Sequence, residues 1–170
     1  MDSIEKQFQA GIDKAMAIRD KAYMIWLTTL CYKLIIAAEN NKEYDNITGN
    51  TVTSYACGIY ENSKLIKVVT DISIPPPVRV KLTEGETMPA GSVSYDGYLK
   101  TSFTGSVPTD QRYGDDYSWM FLANFRPNHK GFAIVMTTGT EYSLYLETAK
   151  HLDVLTKTFN DADNLINGLI

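Results

Sequence analysis

The sequence lacks an excess of either basic residues or groups that commonly do chemistry. Lysine and arginine number 16 against 20 aspartates and glutamates, a net charge of −4, so the counterion release that drives a protein onto phosphates is missing. Nucleic acid is therefore not expected as the primary partner, although a small basic patch, or a ring lumen through which DNA passes without being held, fits this balance. A long uninterrupted apolar run is also missing. The longest stretch, Tyr23 to Ala38, is broken by Thr28, Thr29 and Lys33 and falls short of the ~20 residues of a membrane span. A buried helix and no membrane contact are expected. The chain opens with Asp2, Glu5 and Lys6 rather than a basic segment and an apolar core, so no secretory signal is expected.

Cysteine and histidine are scarce. The two cysteines, Cys31 and Cys57, sit among apolar neighbours and outside any zinc spacing, which reads as buried free thiols. A disulfide between them is possible on count alone, but an assembly made in a reducing cytoplasm would not rely on one. Of the two histidines, His129 lies in a polar turn segment, where a solvated turn residue is the simpler reading. Glu147 and His151 are four residues apart and share a helix face, yet no further ligand follows at a recognisable spacing. The nucleophile elbow, the phosphate-binding glycine loop and the dinucleotide fingerprint are all missing. Asp110, Asp115 and Asp116 do not fit a twelve-residue calcium loop. Folding that brings Glu39 or Glu147 beside Asp45 would make a carboxylate pair, but nothing in the spacing asks for it. No catalytic residue, metal or cofactor is expected.

What is present is an ordinary globular composition, 44% hydrophobic and 21% charged over 170 residues, the size of one domain. Asp2 and Glu5 resemble a capping box, and apolar residues then recur at three- and four-residue steps to Ala37. The spacing predicts a helix over about 3–39, roughly 50 Å long, more than a globule of this size uses internally. Asn, Asp and Gly over 40–50 end it in a loop. Thr51–Tyr60 and Lys64–Thr70 are β-branched and aromatic, which suits a hairpin. Pro75, Pro76 and Pro77 stop pairing, and Val78, Val80 and Leu82 alternate as a short strand. The stretch 83–117 is long and irregular enough to have a purpose of its own. A projecting loop or loose hairpin is expected there, with Tyr95, Tyr98, Tyr113 and Tyr117 as interface candidates. Ser118–Phe125 and Gly131–Thr138 read as a second hairpin, with 119–125 a central strand covered on both faces. From Thr140 an amphipathic helix, broken near Lys150, closes the chain. The fold class is α+β: a long N-terminal helix, an antiparallel sheet of about four to six strands, and a C-terminal helix packed on it. One domain over 1–170 carries an insertion at about 62–130.

Two stretches resemble a known family. Asp45-Asn46-Ile47-Thr48-Gly49-Asn50-Thr51-Val52-Thr53-Ser54 is similar to the Thr-Gly-Asn-Leu followed by Ser of the tailed-phage minor structural family of neck and tail-completion proteins. Gly139-Thr140-Glu141-Tyr142-Ser143-Leu144-Tyr145-Leu146-Glu147, then Leu152-Asp153-Val154-Leu155, is similar to that family's Gly-x-x-Tyr-Ala-x-Tyr-Val/Leu-Glu and later leucine-rich helix. The order of helix, turn, strands, tyrosine motif and helix is the family's. Val52 stands for its Leu, Ser143 for its Ala, no basic residues follow Asn50, and the segment between the motifs is longer.

The resemblance implies a head–tail connector: a non-enzymatic virion subunit made in the bacterial host cytoplasm, forming a homo-oligomeric six- or twelvefold ring in the neck or at the top of the tail. Its neighbours would be portal, adaptor or tail-tube proteins. Thr48, Gly49, Asn50, Tyr142, Tyr145 and Glu147 would be the structural positions of the motif. The rival expectations are a small metal-dependent hydrolase or nuclease working through Glu147 and His151, and a monomeric ligand-binding module using the aromatic loop.

Overall fold

In the computed structural model the described residues are 2–75, 84–105, 114–140, 143–148 and 153–169, without the side chains of 2, 3 and 144–146. Helix α1 spans Asp2–Asn40, one residue beyond the expected span at each end. Its second half buries Leu27, Leu30, Cys31, Leu34, Ile35 and Ala38, a stripe at three- and four-residue steps facing the sheet. The first half does otherwise, since every described side chain from Ile4 to Ala22 is exposed. By length and composition the helix over Ile4–Asn40 is apolar enough to cross a membrane, and its buried stripe shows the second half acting as a core helix.

Beyond a single 3-10 turn, Val52–Ser54, come strands β1, Ala56–Glu61, and β2, Lys64–Thr70. The Thr51–Ser54 stretch expected to begin the strand instead closes turns, with Thr53 N donating to Gly49 O and Ser54 N to Thr51 O. Asn62 and Ser63, at φ 48° and 68°, form the two-residue turn whose left-handed centre matches strand twist.

Four two-residue strands follow: β3 (Thr87–Met88), β4 (Val93–Ser94), β5 (Gly97–Tyr98) and β6 (Phe103–Thr104). They pair antiparallel as β3 with β6 and β4 with β5, so the ladder β4–β5 is nested inside β3–β6 as one irregular hairpin. The expected strand at Val78–Leu82 lies outside the described residues, as do Pro76 and Pro77.

Residues Gly114–Asn124 form helix α2, which corrects the expectation of a strand at Ser118–Phe125. Asp115 and Asp116 occupy its first turn, where carboxylates meet the positive end of the helix dipole. Gly114, Ser118 and Leu122 are buried, a stripe at four-residue steps. Arg126 Nη1 donates to the carbonyls of Ala123 and Phe125 at the other end.

Strand β7, Phe132–Thr137, then pairs antiparallel with β1 rather than with 118–125. The main sheet has the order β2-β1-β7. Helices α3 (Ser143–Thr148), α4 (Val154–Asn160) and α5 (Ala162–Asn167) complete the chain. The closing helical region is divided before Val154, where Asp153 is left-handed; the break expected near Lys150 lies outside the described residues, and α4 and α5 pack on α1.

The α+β class is borne out as three layers. Cys57, Ile59, Val69, Ile134 and Met136 face α1, whereas Ala56, Tyr60, Leu65, Ala133 and Val135 face Leu122 of α2. Leu122 is fully buried, and Tyr60 Oη donates to its carbonyl at 2.6 Å. Leu122→Ala leaves a cavity over the centre of the sheet and should cost about 3 kcal/mol, measured by urea unfolding. A cost below about 1 kcal/mol would show that α2 is not part of the folded core.

Candidate functional site: a polar turn and two uncovered apolar faces

The turn that carries Thr48, Gly49 and Asn50 is a junction. Gly49 has φ +81°, and the Tyr95 ring lies where its Cβ would stand, so only glycine fits both the backbone and the stacking. Asn46 Oδ1 accepts from Gly49 N at 3.1 Å, and Thr48 Oγ1 accepts from Asn50 N at 3.3 Å. Asn50 Oδ1 then accepts the amide of Gly114 at 2.8 Å, the first residue of α2. Ser54 reaches further: its Oγ pairs with Thr138 Oγ1, and its carbonyl accepts from Ser118 Oγ. Gly139 closes the junction, since a methyl group there would collide with the Gly114 carbonyl and the Ser118 amide. The motif residues therefore knit the start of α2 and the exit of β7.

The nested hairpin folds back onto this turn. Tyr95 N donates to Ile47 O, Lys42 Nζ pairs with Asp96 Oδ2 at 2.6 Å, and Lys100 N donates to Asp45 Oδ2. Asp45 is thus engaged with the hairpin. Of the candidate interface tyrosines, Tyr95 is half-buried, with its hydroxyl donating to Pro75 O, and so acts as an internal tie. Tyr98 is 74% exposed at the hairpin. Tyr117 stands on α2 beside a shallow groove with Met120, Phe121 and Phe125. Tyr113 lies outside the described residues.

The second motif is described only in part. Tyr142, His151 and the Tyr145 side chain lie outside the described residues. Glu147 has a definite task, because its carboxylate accepts from Leu155 N at 2.8 Å and from Thr156 Oγ1 at 3.2 Å. Asp153 precedes α4 in the left-handed region and makes no side-chain cap. Glu147 fills that place from α3, satisfying amides that the helix start leaves open.

Two groups stand out electrostatically. Glu39 Oε1 is buried without a hydrogen-bond partner among the described residues, and its pKa is raised to about 7, first by burial, then by Asp71, with Lys42 opposing. The expected thiols are free and buried, and Cys57 is pushed up by its hydrogen bond to Cys31 and by burial. Among the described residues no cluster of three or more His, Cys, Asp or Glu is placed to hold a metal ion.

What sequence reading did not locate is the outer face of α2. Trp119, Met120 and Phe121 are 59, 40 and 46% exposed, with Phe121 and Phe125 stacked at 5.2 Å. The overhanging half of α1 is the second uncovered apolar face. No protein family, curated protein or solved structure matches the chain.

Two outcomes test the polar groups. Glu39 in the folded chain keeps its proton between its ordinary value of 4.5 and about 7, so the fold binds more protons than the unfolded chain in that window. Stability from this group is then full below pH 4.5 and lost as pH rises to 7. Glu39→Gln should flatten the slope and gain on the order of 1 kcal/mol at pH 8, after allowing for screening by water. Thermal unfolding across pH measures it, and an unchanged slope would count against the buried carboxyl. Glu147→Ala should cost about 1 kcal/mol through the lost cap, whereas Asp153→Asn, which tolerates the left-handed backbone, should change stability by less than about 0.5 kcal/mol in the same assay.

Proposed function

We propose that this chain is a structural subunit of a tailed-bacteriophage virion, assembling as a homo-oligomeric ring in the neck or at the top of the tail. The observation that carries the reading is the pair of uncovered apolar faces on opposite layers: the aromatic outer side of α2, and the overhanging half of α1 beyond the other side of the sheet. Closed rings need two different surfaces that complement each other head to tail. Contiguous exposed aromatics are uncommon on proteins that work alone. The Thr-Gly-Asn turn, which resembles that of neck and tail-completion proteins, holds the start of α2 and so supports the face this helix presents. The ring reading assigns the exposed hairpin with Tyr98 to contact with a portal, adaptor or tail-tube protein.

One observation favours a second reading as a small hydrolase: Glu39, a carboxyl with a raised pKa near Asp71. Hydrolysis of a phosphodiester or ester substrate that disappears in Glu39→Gln would support it over the ring.

Antibody against the chain should label the head–tail junction of purified virions. Trp119→Asp should preserve the thermal transition while abolishing incorporation, because Trp119 lies on the outer side of α2 and is 59% exposed. Incorporation at the parental level would count decisively against α2 as a ring surface, and virions without label would remove the assignment.

A further inference from the structure

The overhang of α1 reaches about 30 Å past the body over residues 2–22. At 100° per residue, Ile4, Phe8, Ile12, Ala15 and Met16 share one side of it, and Lys6, Asp13, Lys14, Asp20 and Lys21 share the other. Ile4 and Phe8 are 76 and 71% exposed. A helix this long with an uncovered apolar side is marginal in water by itself and gains its stability from packing.

The charges within the apolar side indicate what covers it. Only Glu5 and Arg19 interrupt it, two heptads apart and so close to one line along the helix. Midway between them is Ile12, which is also the midpoint of the overhang. If a second helix of the same sequence is laid against this side in the opposite direction, with the two-fold axis at Ile12, Glu5 of each copy meets Arg19 of the other. Phe8 meets Met16, a favourable aromatic–sulfur contact. Each overhang is then covered along its whole length.

A parallel pairing in register stacks Glu5 on Glu5 and Arg19 on Arg19 instead. Among the described residues Arg19 pairs only with its exposed neighbour Asp20, a weak surface pair that costs little to exchange. The far end also fits. In the antiparallel arrangement Ile4 arrives beside Arg19 and Asp20 of the other copy, where those residues line a shallow groove with Tyr23, Trp26 and Phe132.

We propose that two copies of the free chain pair through residues 2–22 as an antiparallel helix couple about a two-fold axis at Ile12, registered by reciprocal Glu5–Arg19 ion pairs. The contact is isologous and closes at two copies; it does not rest on the ring reading, but it covers one of the two faces that reading uses, so the pair belongs to the free chain and must open before a ring closes.

The test is charge reversal with rescue, read by sedimentation equilibrium at chain concentrations on the order of 10 µM. The parent should be a dimer. Glu5→Arg alone and Arg19→Glu alone should each weaken it roughly tenfold by setting like charges opposite one another twice per dimer. The double variant E5R/R19E should recover the parental affinity. Ile12→Cys should form a linked dimer on mild oxidation and Phe8→Cys should not, with the buried native thiols silent. The body's thermal unfolding is the folding control, since every described side chain from Ile4 to Ala22 is exposed. A monomeric parent, single reversals without effect, a double variant that stays weak, or Phe8→Cys linking as readily as Ile12→Cys would each overturn the pairing. So would a monomer that binds phosphatidylglycerol vesicles through this face. A ring of six or more copies indifferent to both reversals would overturn the pair while leaving the virion reading intact, and a rescued dimer absent from virions would do the reverse.

Discussion

Strand β1 is paired on both edges and buried on both faces, with only Glu61 at its end exposed, and covering it dictates much of the arrangement around it. A strand in that position needs an apolar layer above and below. The α1 side is ordinary packing of Leu, Ile and Cys. The α2 side is tighter, and small residues make the approach possible: a Cβ on Gly58 would meet Leu122 and the Tyr60 ring, and one on Gly114 would meet Ser54 and Thr140. With Ser118 and Gly139 these glycines let α2 lie close to the sheet. In such packing the backbone polar groups come near one another and must be paired. The hydroxyls of Ser54 and Ser118, together with the side chain of Asn50, do that pairing.

This explains why the Thr-Gly-Asn turn matters although it holds no reacting group. Its residues reach three elements that are distant in sequence, because the turn lies where the nested hairpin, the start of α2 and the exit of β7 converge. Loss of Asn50 would free the first amide of α2, and loss of the Gly49 conformation would displace Tyr95 and with it the hairpin. The exposed faces are positioned by these buried polar contacts.

Much of this fold was legible in the residues. The three- and four-residue spacing gave α1 to within a residue at each end, and the β-branched runs gave the pairing of β1 with β2. The cap supplied by Glu147 was not legible, because a helix start is ordinarily capped by the residue beside it, and here Asp153 adopts a left-handed backbone that turns that duty over to α3. The motif glutamate was legible as a position and not as a role. Similarly, Tyr95 was expected at an interface because tyrosine favours interfaces, whereas the glycine beneath it made an internal stacking site that only the fold brings together.

The segment Ser118–Phe125 is the instructive case, because the feature that hid its helix also bears on its use. Apolar side chains on both sides of a short run are expected of a strand covered twice, on the premise that a chain covers its own apolar surface. Here the inward stripe of Gly114, Ser118 and Leu122 is covered and the outward one of Trp119, Met120 and Phe121 is not. The same holds in α1, where the second half turns its stripe to the sheet and the first half extends an apolar side into water. A helix with apolar side chains on both sides is expected in an interior, yet among the described residues the outer stripe of α2 and the apolar side of the α1 overhang stay exposed. In the assemblies we propose, such a sequence divides its apolar surface between its own core and contacts with other copies.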